Sequence, residues 1–91
     1  MTSLCLQGHV SGRVQGVWFR AFVQHHARQR GVSGWAKNTA DGRVEVLLCG
    51  ERAAVEAVVE QLHIGPPLAR VDAVELAEET TACAPQGFVT L

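Results

Sequence analysis

Residues 3 to 11 alternate, with Leu4, Leu6, Gly8 and Val10 on one side and Cys5, Gln7 and His9 on the other. That period of two predicts a half-buried strand. From Arg20 to Arg30 the period lengthens: Phe22, Val23, His26 and Ala27 share one side, and Gly31 follows. This predicts a helix stopped by glycine. Val32 to Thr39 is again strand-like and leads through Asp41-Gly42 into the alternating run Val44, Glu45, Val46, Leu47, Leu48. The spacing predicts a hairpin of strands two and three. Between Glu51 and His63 a second helical stripe consists of Ala54, Val55, Val58, Val59 and Leu62, with Glu51, Arg52, Glu56 and Glu60 largely off it. Gly65-Pro66-Pro67 stops this helix, Arg70 to Glu79 gives a fourth strand around Val74 and Leu76, and Phe88 to Leu91 is an apolar tail able to add a short fifth.

The order is β-α-β-β-α-β, an α+β arrangement in which both helices cover one face of an antiparallel sheet. Strand order 4-1-3-2 is expected. Right-handed crossovers make strands one and two run the same way, with strand three between them. The glycine loop after strand one, the start of the first helix and the end of strand two then meet at one edge of the sheet. Two spacings of about 4.8 Å separate strands one and two, near enough to share one small ligand.

Composition narrows the classes of function. With 91 residues, 47% hydrophobic and 19% charged, the chain reads as one domain spanning 1–91. Eight basic residues stand against nine acidic ones, for a formal charge of -1. Such a balance excludes a polyanion as main partner, since affinity for nucleic acid needs many cations against phosphates. An RNA-binding module of this topology would also display aromatic residues on its central strands, and strands one and three do not. No stretch approaches the roughly 20 apolar residues of a membrane span, and the first residues lack a basic opening. A cytoplasmic monomer with no membrane partner is expected. Cysteines 5, 49 and 83 show no CxxC spacing, so no metal and no cofactor is expected.

The chemistry concentrates in Gly12-Arg13-Val14-Gln15-Gly16-Val17-Trp18-Phe19-Arg20, a glycine loop running into a helix. Glycines let the backbone aim N–H groups at a common centre, and a helix start adds unsatisfied donors and a positive dipole end. Arg20 in the first turn opposes that dipole unless an anion joins it. Its planar fork can hold two phosphate oxygens. The loop is neither a nucleotide P-loop nor GxGxxG. Taken alone, it fits an ordinary turn as well as an anion site.

Together with Gly34-Trp35-Ala36-Lys37-Asn38-Thr39-Ala40-Asp41-Gly42-Arg43-Val44, the loop resembles the two signature stretches of the acylphosphatase family. The likeness runs through Gly65-Pro66-Pro67-Leu68-Ala69-Arg70-Val71 to Gly87-Phe88. It implies a ferredoxin-like two-layer α/β sandwich and metal-independent hydrolysis of an acyl phosphate, a small-molecule substrate, to carboxylate and inorganic phosphate. Arg20 matches the family's substrate-binding arginine and Asn38 the asparagine that orients the attacking water. The backbone amides of Arg13, Val14, Gln15, Gly16, Val17 and Trp18 would form the phosphate cradle. Ala36 stands where a larger apolar residue is common, and Trp18 occupies a variable position. The alternative is a non-catalytic domain that binds small anions.

Other residues invite competing readings. His25 and His26 lie beyond the first turn of the helix, away from the loop, and His9 belongs to the open sheet face. Asp41 has a conformational reason to be in a hairpin. Trp18 and Trp35 could stack on an acyl group or pack in the domain. If Ser11 faces Arg43, paired residues of strands one and three sum to 54, which sets Val10 opposite Val44, His9 opposite Glu45 and Cys5 opposite Cys49. Cys5 and Cys49 then lie within disulfide reach, with free thiols the alternative in a reducing compartment.

Overall fold

The computed structural model describes residues 3–80 and 86–91. Its elements are β1 (Ser3–Arg13), α1 (Phe19–Gln29), β2 (Ser33–Asn38), β3 (Val44–Glu51), α2 (Arg52–Ile64), β4 (Arg70–Glu78) and β5 (Phe88–Thr90). They form one sheet in the order β4-β1-β3-β2-β5, antiparallel throughout except that β5 runs parallel to β2. The expected 4-1-3-2 order holds, and the tail becomes an edge strand beyond β2. β1 reaches two residues past its alternating stretch, to Arg13, because a register shift at Ser11/Gly12 lets it keep pairing with β4.

Both helices cover one face. α1 lies over β2 and β5, and α2 lies over β1, β3 and β4. Between the layers Val10, Ala36, Val44, Val46 and Leu48 meet Phe19, Val23, Ala27, Val55, Val58 and Leu62, all buried. Each large apolar side chain removed from water contributes about 1.5–3 kcal/mol. Phe88 is also fully buried, which fastens β5 to the core. Among the described residues no helix is long and apolar enough to cross a membrane.

The register of β1 and β3 follows the sum of 54 along its length, including Val10 with Val44 and His9 with Glu45. It sets Cys5 beside Cys49, Cα atoms 4.1 Å apart, and the structure joins them in a disulfide. Cys83 lies outside the described residues. A bond closing a 44-residue separation restricts the unfolded chain by about 4 kcal/mol. Reduction is therefore expected to lower the denaturant midpoint with little change in activity. Alkylation of positions 5 and 49 in the unreduced, unfolded protein would show that the bond had not formed.

Gly34 sets how closely β2 approaches β3. Its φ is 141°, and a methyl group built on it collides with the Leu47 carbonyl oxygen. Since the obstacle is backbone, no rotamer change relieves it. Gly34→Ala is expected to cost about 2–4 kcal/mol in thermal or denaturant unfolding, by prising apart the hairpin that carries Asn38.

Candidate active site

The turn from β1 into α1 is built by two positive-φ residues, Gly16 (74°) and Trp18 (67°). Gly16 bears no side chain to resist, whereas the left-handed region costs an L-residue such as Trp18 roughly 1–2 kcal/mol. Trp18 is the N-cap of α1, and its carbonyl accepts the first helical bond from the Phe22 N–H at 3.0 Å. Among the described residues, the amides of Gln15, Gly16, Val17 and Trp18 donate no backbone or side-chain hydrogen bond. With the orphan amides of the first helical turn they form a cluster of unsatisfied donors at a positive dipole end. No acidic residue lies in that first turn to neutralise it.

A cleft of ≈ 380 Å³ opens beside this turn, lined by Val14, Gly16, Trp18, Phe19, Arg20, Ala21, Gln24, Asn38 and Thr90. Arg20 and Asn38, distant in sequence, therefore stand on the walls of one cleft. Arg20 is the second residue of α1, and its Nη1 donates to the Leu91 main-chain oxygen at 2.7 Å. β5 brings that oxygen there: the Leu91 N–H donates to the Ala36 carbonyl at 2.8 Å, and Gln24 Nε2 donates to the Phe88 carbonyl at 3.1 Å. Asn38 ends β2 opposite Val44, is exposed, and makes no side-chain hydrogen bond with another described residue.

Of the six positions expected to supply cradle amides, Val14, Gly16 and Trp18 border the cleft. Arg13 closes β1 in register with Arg70, and Val17 is buried. Gln15 has a further role that sequence alone did not disclose. Its Nε2 donates to the carbonyls of Thr39 and Arg43, each at 2.8 Å, tying the loop to the hairpin. Gln15→Ala is expected to lower kcat/KM about tenfold by loosening loop against hairpin, with a loss of about 1 kcal/mol in stability. Steady-state kinetics beside denaturant titration check both.

The remaining candidates lie elsewhere. His26 packs edge-on to Phe22, with centroids 4.5 Å apart, and its Nδ1 is 3.1 Å from Arg30 Nη1. Burial, then the charges of Arg30 and His25, lowers its pKa below the ordinary histidine value. His25 is exposed on the outer side of α1. Asp41 hydrogen-bonds the Arg43 guanidinium (2.8 Å) and the Thr39 hydroxyl, which hold its carboxyl well below the usual carboxylate range. It is thus an ionised hairpin clasp near neutral pH, with no proton to donate. Trp35 lies on the open sheet face with Lys37 Nζ 5.4 Å from its ring centroid. Among the described residues no group of three His, Cys, Asp or Glu side chains is placed to hold a metal.

The fold is thus a two-layer α+β sandwich that carries a donor-rich cleft between a glycine loop and a β-hairpin. The acylphosphatase family model matches residues 6–90. The chain belongs to the acylphosphatase family. An acylphosphatase of Rubrobacter xylanophilus is 50% identical over 80 residues, 88% of this chain and 73% of that protein. One of Chromohalobacter salexigens is 56% identical over 75 residues, covering 82% and 83%. The crystal structure of the acylphosphatase from Bacillus subtilis superposes with a TM-score of 0.90 at 37% identity, over 99% of both chains.

Proposed function

We propose that this chain hydrolyses acyl phosphates to a carboxylate and inorganic phosphate, using its own cleft groups. The observation that carries the reading is the presence of Arg20, Asn38 and the loop at one cleft. The loop amides and the Arg20 guanidinium bind the phosphoryl oxygens and stabilise the charge that develops on them. Asn38 cannot act as a strong base; its amide accepts from and donates to a water, aligning the oxygen with phosphorus. As the water oxygen bonds to phosphorus, the phosphorus–acyl oxygen bond breaks and its electron pair leaves with the carboxylate. A carboxylic acid has a pKa of about 4, so no acid is needed to expel this group at neutral pH. The water's proton passes to a phosphoryl oxygen. A cleft whose lining all comes from one chain suits a monomer, and we place the enzyme in the cytoplasm.

The test is phosphate release from benzoyl phosphate with chelator present. A protein that binds phosphate but releases none would instead be the small-anion-binding domain. A further prediction concerns pH. The side chains lining the cleft include no imidazole, thiol, carboxyl, phenol or amine. The kcat profile is expected to show only the substrate's own phosphate ionisation. An inflection that stays fixed between substrates whose phosphates differ in pKa would point to a protein base.

A further inference from the structure

Trp18 is 78% exposed, the most exposed of the large apolar side chains among the described residues. It nevertheless stands on the wall that holds Arg20 and Asn38. Its neighbour Phe19 turns inward and is 1% exposed, so the core is filled by Phe19 and not by the indole. The division arises in the backbone: Trp18 is the one non-glycine among the described residues with positive φ. Strain of this kind, kept where no packing requires it, is characteristic of binding and catalytic positions.

We propose that Trp18 is the platform for the acyl group, and that the substrate class is acyl phosphates whose acyl part is flat or apolar and uncharged. This rests on the hydrolytic reading above and specifies it. Arg20 carries the one formal charge among the residues lining the cleft, and the phosphoryl group takes it. A second anionic group on the acyl part finds no cation on these walls. A flat apolar group finds the face of an indole, which stacks offset or edge-on with rings. The cleft volume of ≈ 380 Å³ falls within the roughly 300–1,000 Å³ of clefts that take small organic ligands, so an acyl group fits beside the phosphoryl group. Trp35 does not compete for this role, because it lies on the open sheet face.

The test compares kcat/KM for benzoyl phosphate and acetyl phosphate in the wild type, Trp18→Phe, Trp18→Asn and Trp18→Gly. Asparagine and glycine both accept the left-handed conformation, so the loop keeps its path while the ring is removed. The benzoyl-to-acetyl ratio is expected to fall about tenfold in both ringless variants and to stay within about threefold of wild type in Trp18→Phe. Because the ratio is read, a loss common to both substrates through the loop amides cancels. An unchanged ratio in active ringless variants overturns the platform and leaves the hydrolytic reading standing. Absence of phosphate release by the wild type from either substrate overturns both.

Discussion

Arg20→Ala is expected to lower kcat/KM for benzoyl phosphate by about 10³-fold or more, within the range found when a guanidinium that stabilises a transferring phosphoryl group is lost. The loss should include binding, so inorganic phosphate should inhibit the variant far more weakly. The argument from fold energetics is independent of the chemistry. A cation in the first turn of a helix opposes the macrodipole by about 0.3–1 kcal/mol. α1 has no acidic residue in that turn to compensate. The bond to the Leu91 oxygen holds the guanidinium in place, and it engages Nη1, leaving most of the fork's five donors for a ligand. Arg20→Ala relieves that dipole cost and loses the bond to Leu91, two effects of opposite sign and similar size, so stability should stay nearly unchanged while turnover is abolished. That separation marks a residue retained for its ligand. Arg20→Lys should recover little, because an ammonium cannot offer two parallel donors to two phosphate oxygens. Kinetics and thermal unfolding of the two variants check this, and a variant that loses activity only in step with stability would contradict it.

The parts of this molecule legible in the sequence are those written in local periodicity. Alternation along β1 and β3, the Asp41-Gly42 turn and the stripe of α2 reproduce the observed elements within three residues. One pairing assumption then fixed the whole β1–β3 register, because a slip of a single residue would turn Leu4, Leu6 and Val10 away from the helices. Less legible were contacts made by short or non-periodic segments. Three residues of β5 carry no usable period, so neither its parallel seat beside β2 nor the delivery of the Leu91 oxygen to Arg20 could be read. The Gln15 bridge depends on how far a loop and a hairpin turn toward each other, which spacing does not encode. Trp18 was open between packing and ligand contact because its exposure goes with a left-handed φ, and tryptophan does not ordinarily signal that conformation.

Replacing Asn38 should separate catalysis from binding. Asn38→Ala is expected to reduce kcat by about 10²–10³-fold, the scale of losing one positioned donor or misplacing a reacting group. Phosphate inhibition should be nearly unchanged, since the loop and Arg20 supply the phosphate contacts proposed here. Asn38 is exposed at the end of β2 and bonded to no other described side chain, so stability should move by no more than about 0.5 kcal/mol. A fall in kcat with KM nearly constant would then report an interaction made in the transition state alone. Asn38→Asp discriminates between two ways of helping water. If the amide aligns the nucleophile through both a donor and an acceptor, the carboxylate loses the donor and adds a charge beside the phosphoryl oxygens, and should be no better than alanine. If a base were what the step lacked, aspartate would exceed alanine and introduce a carboxylate ionisation into the kcat profile. The first result is expected, because a carboxylate leaving group and a substrate able to take the water's proton remove the need for a protein base.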